Sequence, residues 1–102
     1  MVELFKLENA EVVLQKPLGQ KIDKKQNVEL VHLTLQPNEQ IPLHANPFDV
    51  FFHVVNGMGI LRIEGDEKLI SASDTAFIPA DAMRGLLNNS TEELKVLVVK
   101  VF

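Results

Sequence analysis

The residues best equipped for chemistry lie between Ile41 and Gly57, in the run Ile-Pro-Leu-His44-Ala-Asn46-Pro-Phe-Asp49-Val50-Phe-Phe52-His53-Val-Val-Asn56-Gly57. A His, one residue skipped, a polar side chain, a short turn and an apolar strand ending in Asn-Gly looks like a metal-binding strand pair from which most of the ligands have been removed. On extended backbone, His44 and Asn46 share one face. An imidazole can serve as base, ligand or hydrogen-bonding group, but an amide oxygen is a weak ligand for a transition metal. Downstream, Arg84 carries a permanent positive charge. Turned inward, that guanidinium needs a partner, because an unpaired buried charge is expensive. Asp49, water at an open mouth, or a carboxylate or similar anion held by charge-assisted hydrogen bonds would supply one. Turned outward, Arg84 would pair with a surface acid.

Composition narrows the classes of function. The 102 residues are 46% hydrophobic and 24% charged, enough for one domain with a modest core. There is no Cys, which removes disulfides and thiolate metal sites. The formal charge is −4, and the one dense basic cluster, Lys21, Lys24 and Lys25, has no interleaved aromatics. That is the wrong sign for a phosphate-neutralising nucleic-acid face. The amino terminus lacks a signal-peptide layout, and no apolar run approaches the roughly 20 residues needed to span a bilayer. No nucleic-acid or membrane partner and a cytoplasmic location are therefore expected.

The elements that must position these groups read as strands. Short runs rich in Val, Leu, Ile and Phe are separated by Pro, Gly, Asn and Asp. Strands are expected over Val2 to Leu7, Glu11 to Leu14, Val28 to Leu35, Gln40 to Leu43, Asp49 to Val55, Met58 to Ile63, Lys68 to Ile70, Thr75 to Ile78, Met83 to Leu87 and Leu94 to Phe102. The polar stretch Gln20 to Asn27 reads as a loop or irregular edge, and Asn56-Gly57 as a hairpin turn. About ten short strands without a convincing helix predict an all-β barrel or sandwich. The last strand is apolar on both faces, as in a strand covered on both sides. The second cover could be another subunit, so a homodimer is expected.

Together these stretches resemble the cupin family of small double-stranded β-helix (jelly-roll) barrels. The family's first motif is Gly, five residues, His-x-His, three or four residues, Glu, six residues, Gly; Asn38, His44, Asn46, Val50 and Gly57 fill its positions. The second is Gly, five residues, Pro-x-Gly, two residues, His, three residues, Asn; here stand Ser73, Pro79, Asp81, Arg84 and Asn88. The likeness covers roughly residues 28–101. Asn38 and Asp81 are the types that best replace Gly at positive φ.

The resemblance implies a site for Fe, Mn, Ni, Cu or Zn, but of its four ligands only His44 is present. Val50 offers no donor, and Arg84 places a charge where the third imidazole would sit. At about 4 Å and an effective dielectric near 20, one further unit charge costs about 4 kcal/mol, and roughly twice that against a dication. The expected barrel therefore has no metal and no cofactor. Its mouth is lined by His44, Asn46, Val50, Phe52, Val54 and Arg84, with Asn88 within reach, a composition suited to a small ligand. Asp49 would enter only if a β-bulge near Pro47 rotated it inward. His53 falls on the opposite strand face, as a satisfied or interface histidine. His32 faces either the barrel interior or a hydrogen-bonding neighbour.

Three functions stay open at this level. One is a metal-free protein binding a small molecule or an anion, in a sensory or accessory role. The second is an enzyme using His44, Asn46 and Asp49, either at a non-standard metal site or with His44 as a general base. The third is a structural dimer with a vestigial pocket.

Overall fold

A computed structural model describes residues 1–102. Ten strands follow a short 3-10 turn at Leu7–Asn9: β1 Glu11–Leu14, β2 Leu18–Lys24, β3 Val28–Leu35, β4 Gln40–His44, β5 Asp49–Asn56, β6 Met58–Ile63, β7 Asp66–Ser71, β8 Thr75–Ile78, β9 Arg84–Leu87 and β10 Leu94–Val101. They form two antiparallel sheets, a large one ordered β1-β2-β3-β10-β5-β8 and a small one ordered β4-β9-β6-β7. This is a double-stranded β-helix, the jelly roll expected. No helix is long and apolar enough to cross a membrane.

Alternation builds the core. Val31, Leu33 and Leu35 of β3 point inward and pair with Val98, Val96 and Leu94 of β10, which in turn set Val98 against Phe52 and Val96 against Val54 of β5. The period of two thus stacks layers of apolar side chains between the sheets. From the small sheet, Leu61 and Leu86, cross-strand partners on β6 and β9, close the core.

Four turns hold positive φ at positions that the resemblance aligns with glycine: Asn38 (70°), Gly57 (89°), Ser73 (78°) and Asp81 (69°). The backbone has kept the left-handed geometry after losing three of the glycines. At Gly57 no replacement is open, because a Cβ there would lie 2.3 Å from the Glu93 carbonyl oxygen.

Three expectations need correction. Asn56-Gly57 is not a hairpin: β5 and β6 belong to different sheets, and Gly57 turns the corner between them. The stretch from Gln20 is largely β2, whose alternation is broken by a bulge between Lys21 and Asp23. Val2 to Leu7 forms no strand: the segment pairs with neither sheet and runs into the 3-10 turn, and Val2 and Leu4 are exposed. The basic cluster meets acids, with Lys21 paired to Glu11 at 3.3 Å and Lys25 to Glu3 and Asp23 at 2.6 and 3.0 Å.

Candidate functional site: a buried guanidinium in the barrel

A cavity of about 210 Å³ lies between the two sheets. Three of its four polar side chains, Arg84, His44 and Asn46, come from the small-sheet side. Arg84 opens β9, and alternation with inward Leu86 turns it into the barrel. His44, at the end of β4, is its direct cross-strand partner. Simple alternation from Ile41 would send His44 outward. A bulge between Ile41 and His44 sets Pro42 and Leu43 of β4 against Gly85 alone of β9, so that Ile41 and His44 both reach the cavity while Leu43 is exposed. Pro42, unable to donate to the ladder, sits at the irregularity.

The hydrogen bonds are few. His44 Nδ1 lies 2.9 Å from the Pro42 carbonyl oxygen. A carbonyl only accepts, so Nδ1 carries the proton and the Nε2 of the neutral ring is left as an acceptor. With its amide oxygen turned to the guanidinium, Asn46 Oδ1 accepts from Arg84 Nη2 at 2.6 Å. Arg84 is 2% exposed, yet its Nε and Nη1 have no partner. No acidic side chain lines the cavity. Burial pushes the guanidinium below its ordinary pKa, but a guanidinium keeps its proton in the physiological range.

The large sheet supplies an apolar wall, with Val31 and Leu33 of β3, Phe52 of β5 and Val98 of β10. Val13, Leu14 and Gly19 of the first two strands complete that side. Gly19 escapes sequence reasoning because the β2 bulge hides the strand that carries it, and Val13 and Leu14 because β1 is brought to the cavity by its pairing with that strand. Lys100 also reaches the cavity, with its ammonium 2.9 Å from Glu29 Oε2.

His44, Asn46, Phe52 and Arg84 are therefore brought together around one space; Val50 and Asn88 are not. Val50 is fully buried in the core. Asn88 is fully buried too, and its amide is fully engaged. Its Nδ2 donates to the carbonyls of Leu35 and Glu92 at 2.9 and 2.8 Å, and its Oδ1 accepts from the Ser90 N–H and hydroxyl at 2.9 and 2.8 Å. It is a turn clamp. Asp49 stays off the cavity as well, accepting from the Ala80 N–H at 2.9 Å.

The two remaining histidines face away from the cavity. His53 Nδ1 lies 2.7 Å from the Thr75 hydroxyl. His32, between Gln20 and Leu97 on the other face of the large sheet, is buried with no partner for Nδ1. It lies neither in the barrel interior nor against a hydrogen-bonding neighbour at Nδ1. Burial, with Lys95 adding to it, lowers its pKa below 6.5. The unfolded chain then binds more protons between the two values, so this group's contribution to stability is whole above about pH 6.5 and declines as pH falls through that window. In urea denaturation, His32→Leu should flatten the loss of stability between pH 7 and 5, by up to ~1.4 kcal/mol per pH unit.

The residues present do not fit a transition-metal centre. One imidazole, one amide already turned to a guanidinium, one aliphatic side chain and one cation are a poor donor set. No three His, Cys, Asp or Glu side chains gather anywhere in the fold.

The comparisons agree with the architecture. The Cupin domain family model matches residues 31–100. An uncharacterized protein of Aquifex aeolicus is 31% identical over 83 residues, spanning 72% of this chain and 67% of that one. Among solved structures, a protein from Thermus thermophilus superposes at TM-score 0.84 with 22% identity, over 98% of this chain and 97% of the other. A predicted oxalate decarboxylase from Thermotoga maritima reaches 0.86 at 15% identity, over 98% and 99%. The polyketide cyclase RemF from Streptomyces resistomycificus reaches 0.85 at 17% identity, over 99% and 80%. The chain belongs to the cupin family. At these identities the structural neighbours speak to the fold alone, since one barrel carries many chemistries.

Proposed function

We propose that this cupin binds a small anionic molecule in its barrel without a resident metal, and that Arg84 is the anchor, with His44 and Asn46 beside it and Phe52 at its apolar wall. The observation that carries this reading is a guanidinium 2% exposed, with two of its three nitrogens unpartnered and no acid at hand. Buried charges are ordinarily paired, and the cavity that Arg84 lines has room for the missing partner; Nε and Nη1 are closed off in this conformation, so the guanidinium turns to meet it. The test is thermal denaturation at constant ionic strength with a panel of small carboxylates. A ligand at 100 times its Kd should add about 2.7 kcal/mol of stability to the wild type and nothing to Arg84→Met. Equal protection of both proteins would remove the reading.

Two further features bear on function. The Pro42 carbonyl fixes the His44 tautomer and leaves Nε2 able to accept a proton, the arrangement of a general base; this favours an enzymatic use of the same pocket as the second reading. A homodimer is also proposed, on the outer face of the large sheet, where Phe51, Val55 and Phe77 are 39, 49 and 51% exposed and the Phe51 and Phe77 rings lie 5.1 Å apart. Light scattering at micromolar concentration should give twice the mass of the chain; a monomer would refute it.

A further inference from the structure

The charge, size and polarity of the cavity restrict what the anion can be. Building on the anion-binding reading above, we infer that the ligand class is a linear or lightly branched monocarboxylate of about four to six carbons, its carboxylate on Arg84 and its tail against the large sheet. Three observations converge on this class.

The first is the charge count. Arg84 is the one cation of the cavity lacking an acid, and no carboxylate lines the space. Lys100 is already neutralised by Glu29 at 2.9 Å and stands over the Phe48 ring, 5.9 Å from its centroid. A single negative charge completes the pairing. A dianion such as phosphate or a dicarboxylate would leave one buried charge uncompensated, unless Lys100 gave up Glu29.

The second is the division of the lining between the two sheets. Arg84 and His44 stand on β9 and β4 of the small sheet, with Asn46 just beyond, whereas Val31, Leu33, Phe52 and Val98 stand on β3, β5 and β10 of the large one. Apart from Lys100, already paired with Glu29, a molecule lying across the gap meets a cation at one side and hydrocarbon at the other. Sugars and polyols, with hydroxyls all round, would leave theirs unsatisfied against that wall.

The third is volume. An apolar cavity of about 150 Å³ takes benzene, with its six heavy atoms, so about 210 Å³ takes roughly seven or eight. A carboxylate and its chain reach that number of heavy atoms at about five carbons.

The test is isothermal titration of the wild-type protein, at fixed ionic strength, with the sodium salts of acetate, butyrate, pentanoate, hexanoate, octanoate and decanoate, and with succinate, inorganic phosphate and 1-hexanol. Affinity should rise by up to about fourfold per methylene, the equivalent of ~0.8 kcal/mol, up to about six carbons, then level or fall. Succinate, phosphate and hexanol should bind at least tenfold more weakly than hexanoate, and Arg84→Met should lose the carboxylate series. Anion binding that depends on Arg84 but shows no chain-length trend, or that favours succinate or phosphate, would overturn this inference while leaving the anion reading intact. Hexanol binding as well as hexanoate would also overturn it. If no anion binds, both fall.

Discussion

Asn88→Ala should lower the stability of the folded protein by about 2–4 kcal/mol while leaving anion affinity within about twofold of the wild type. The size follows from what the amide holds. Leu35 is fully buried, so its carbonyl loses its partner with no water to replace it, and the Ser90 N–H loses the oxygen that receives it. Each group left unsatisfied costs roughly 1–3 kcal/mol, and the truncated side chain adds a small cavity. The backbone of Asn88 also exchanges hydrogen bonds with the β3–β4 turn, through Glu39 O at 3.0 Å and Asn38 N at 2.8 Å. A loosened clamp therefore reaches the end of β3, the β3–β4 turn and the turn into β10 together. With domains of this size stable by only 5–15 kcal/mol, the loss should be plain in urea denaturation, monitored by circular dichroism because the chain has no Trp or Tyr. A many-fold loss of carboxylate affinity with stability unchanged would return Asn88 to the ligand site.

The same residue shows what the sequence could and could not convey. Strands with clean alternation, such as Val28–Leu35 and Leu94–Val101, were legible because one face repeats Val and Leu every second residue. The motif spacing also aligned His44 with Arg84, now seen as cross-strand partners. Bulges defeated the local reading. One in β2 hid a strand, and one in β4 decides which way His44 points. Alternation alone would have aimed the imidazole at solvent, so its inward direction was readable only through the family resemblance. For Asn88 a local signal existed and pointed elsewhere. Asn followed two residues later by a turn Ser is the pattern of a side chain that accepts from the backbone at i+2, and the Ser90 N–H does donate to it. Val50 differs again: its spacing matches a ligand position, but an aliphatic residue there joins the core.

Arg84→Met should make the ligand-free protein more stable than the wild type, by about 1–3 kcal/mol. Replacing buried ionic groups by well-packed apolar side chains of similar volume is often neutral or stabilising by about 1–4 kcal/mol, and here the wild-type charge has no counter-ion to offset its desolvation. Met is long and flexible enough to follow the guanidinium's path between Ile63 and His44, the neighbours of Arg84 on β6 and β4. Against this stands the hydrogen bond from Nη2 to Asn46 at 2.6 Å; losing it leaves an amide oxygen without its donor, at a cost of about 1 kcal/mol or more. For a chain near 100 residues the net gain corresponds to a rise in Tm of at least about 4 °C. Saturating carboxylate should then narrow or reverse the order, because the wild type alone gains from it. That crossing separates two reasons for burying an arginine. A guanidinium kept for structure would leave the variant the weaker protein in any buffer, whereas one kept for a ligand makes it the stronger until the ligand is added.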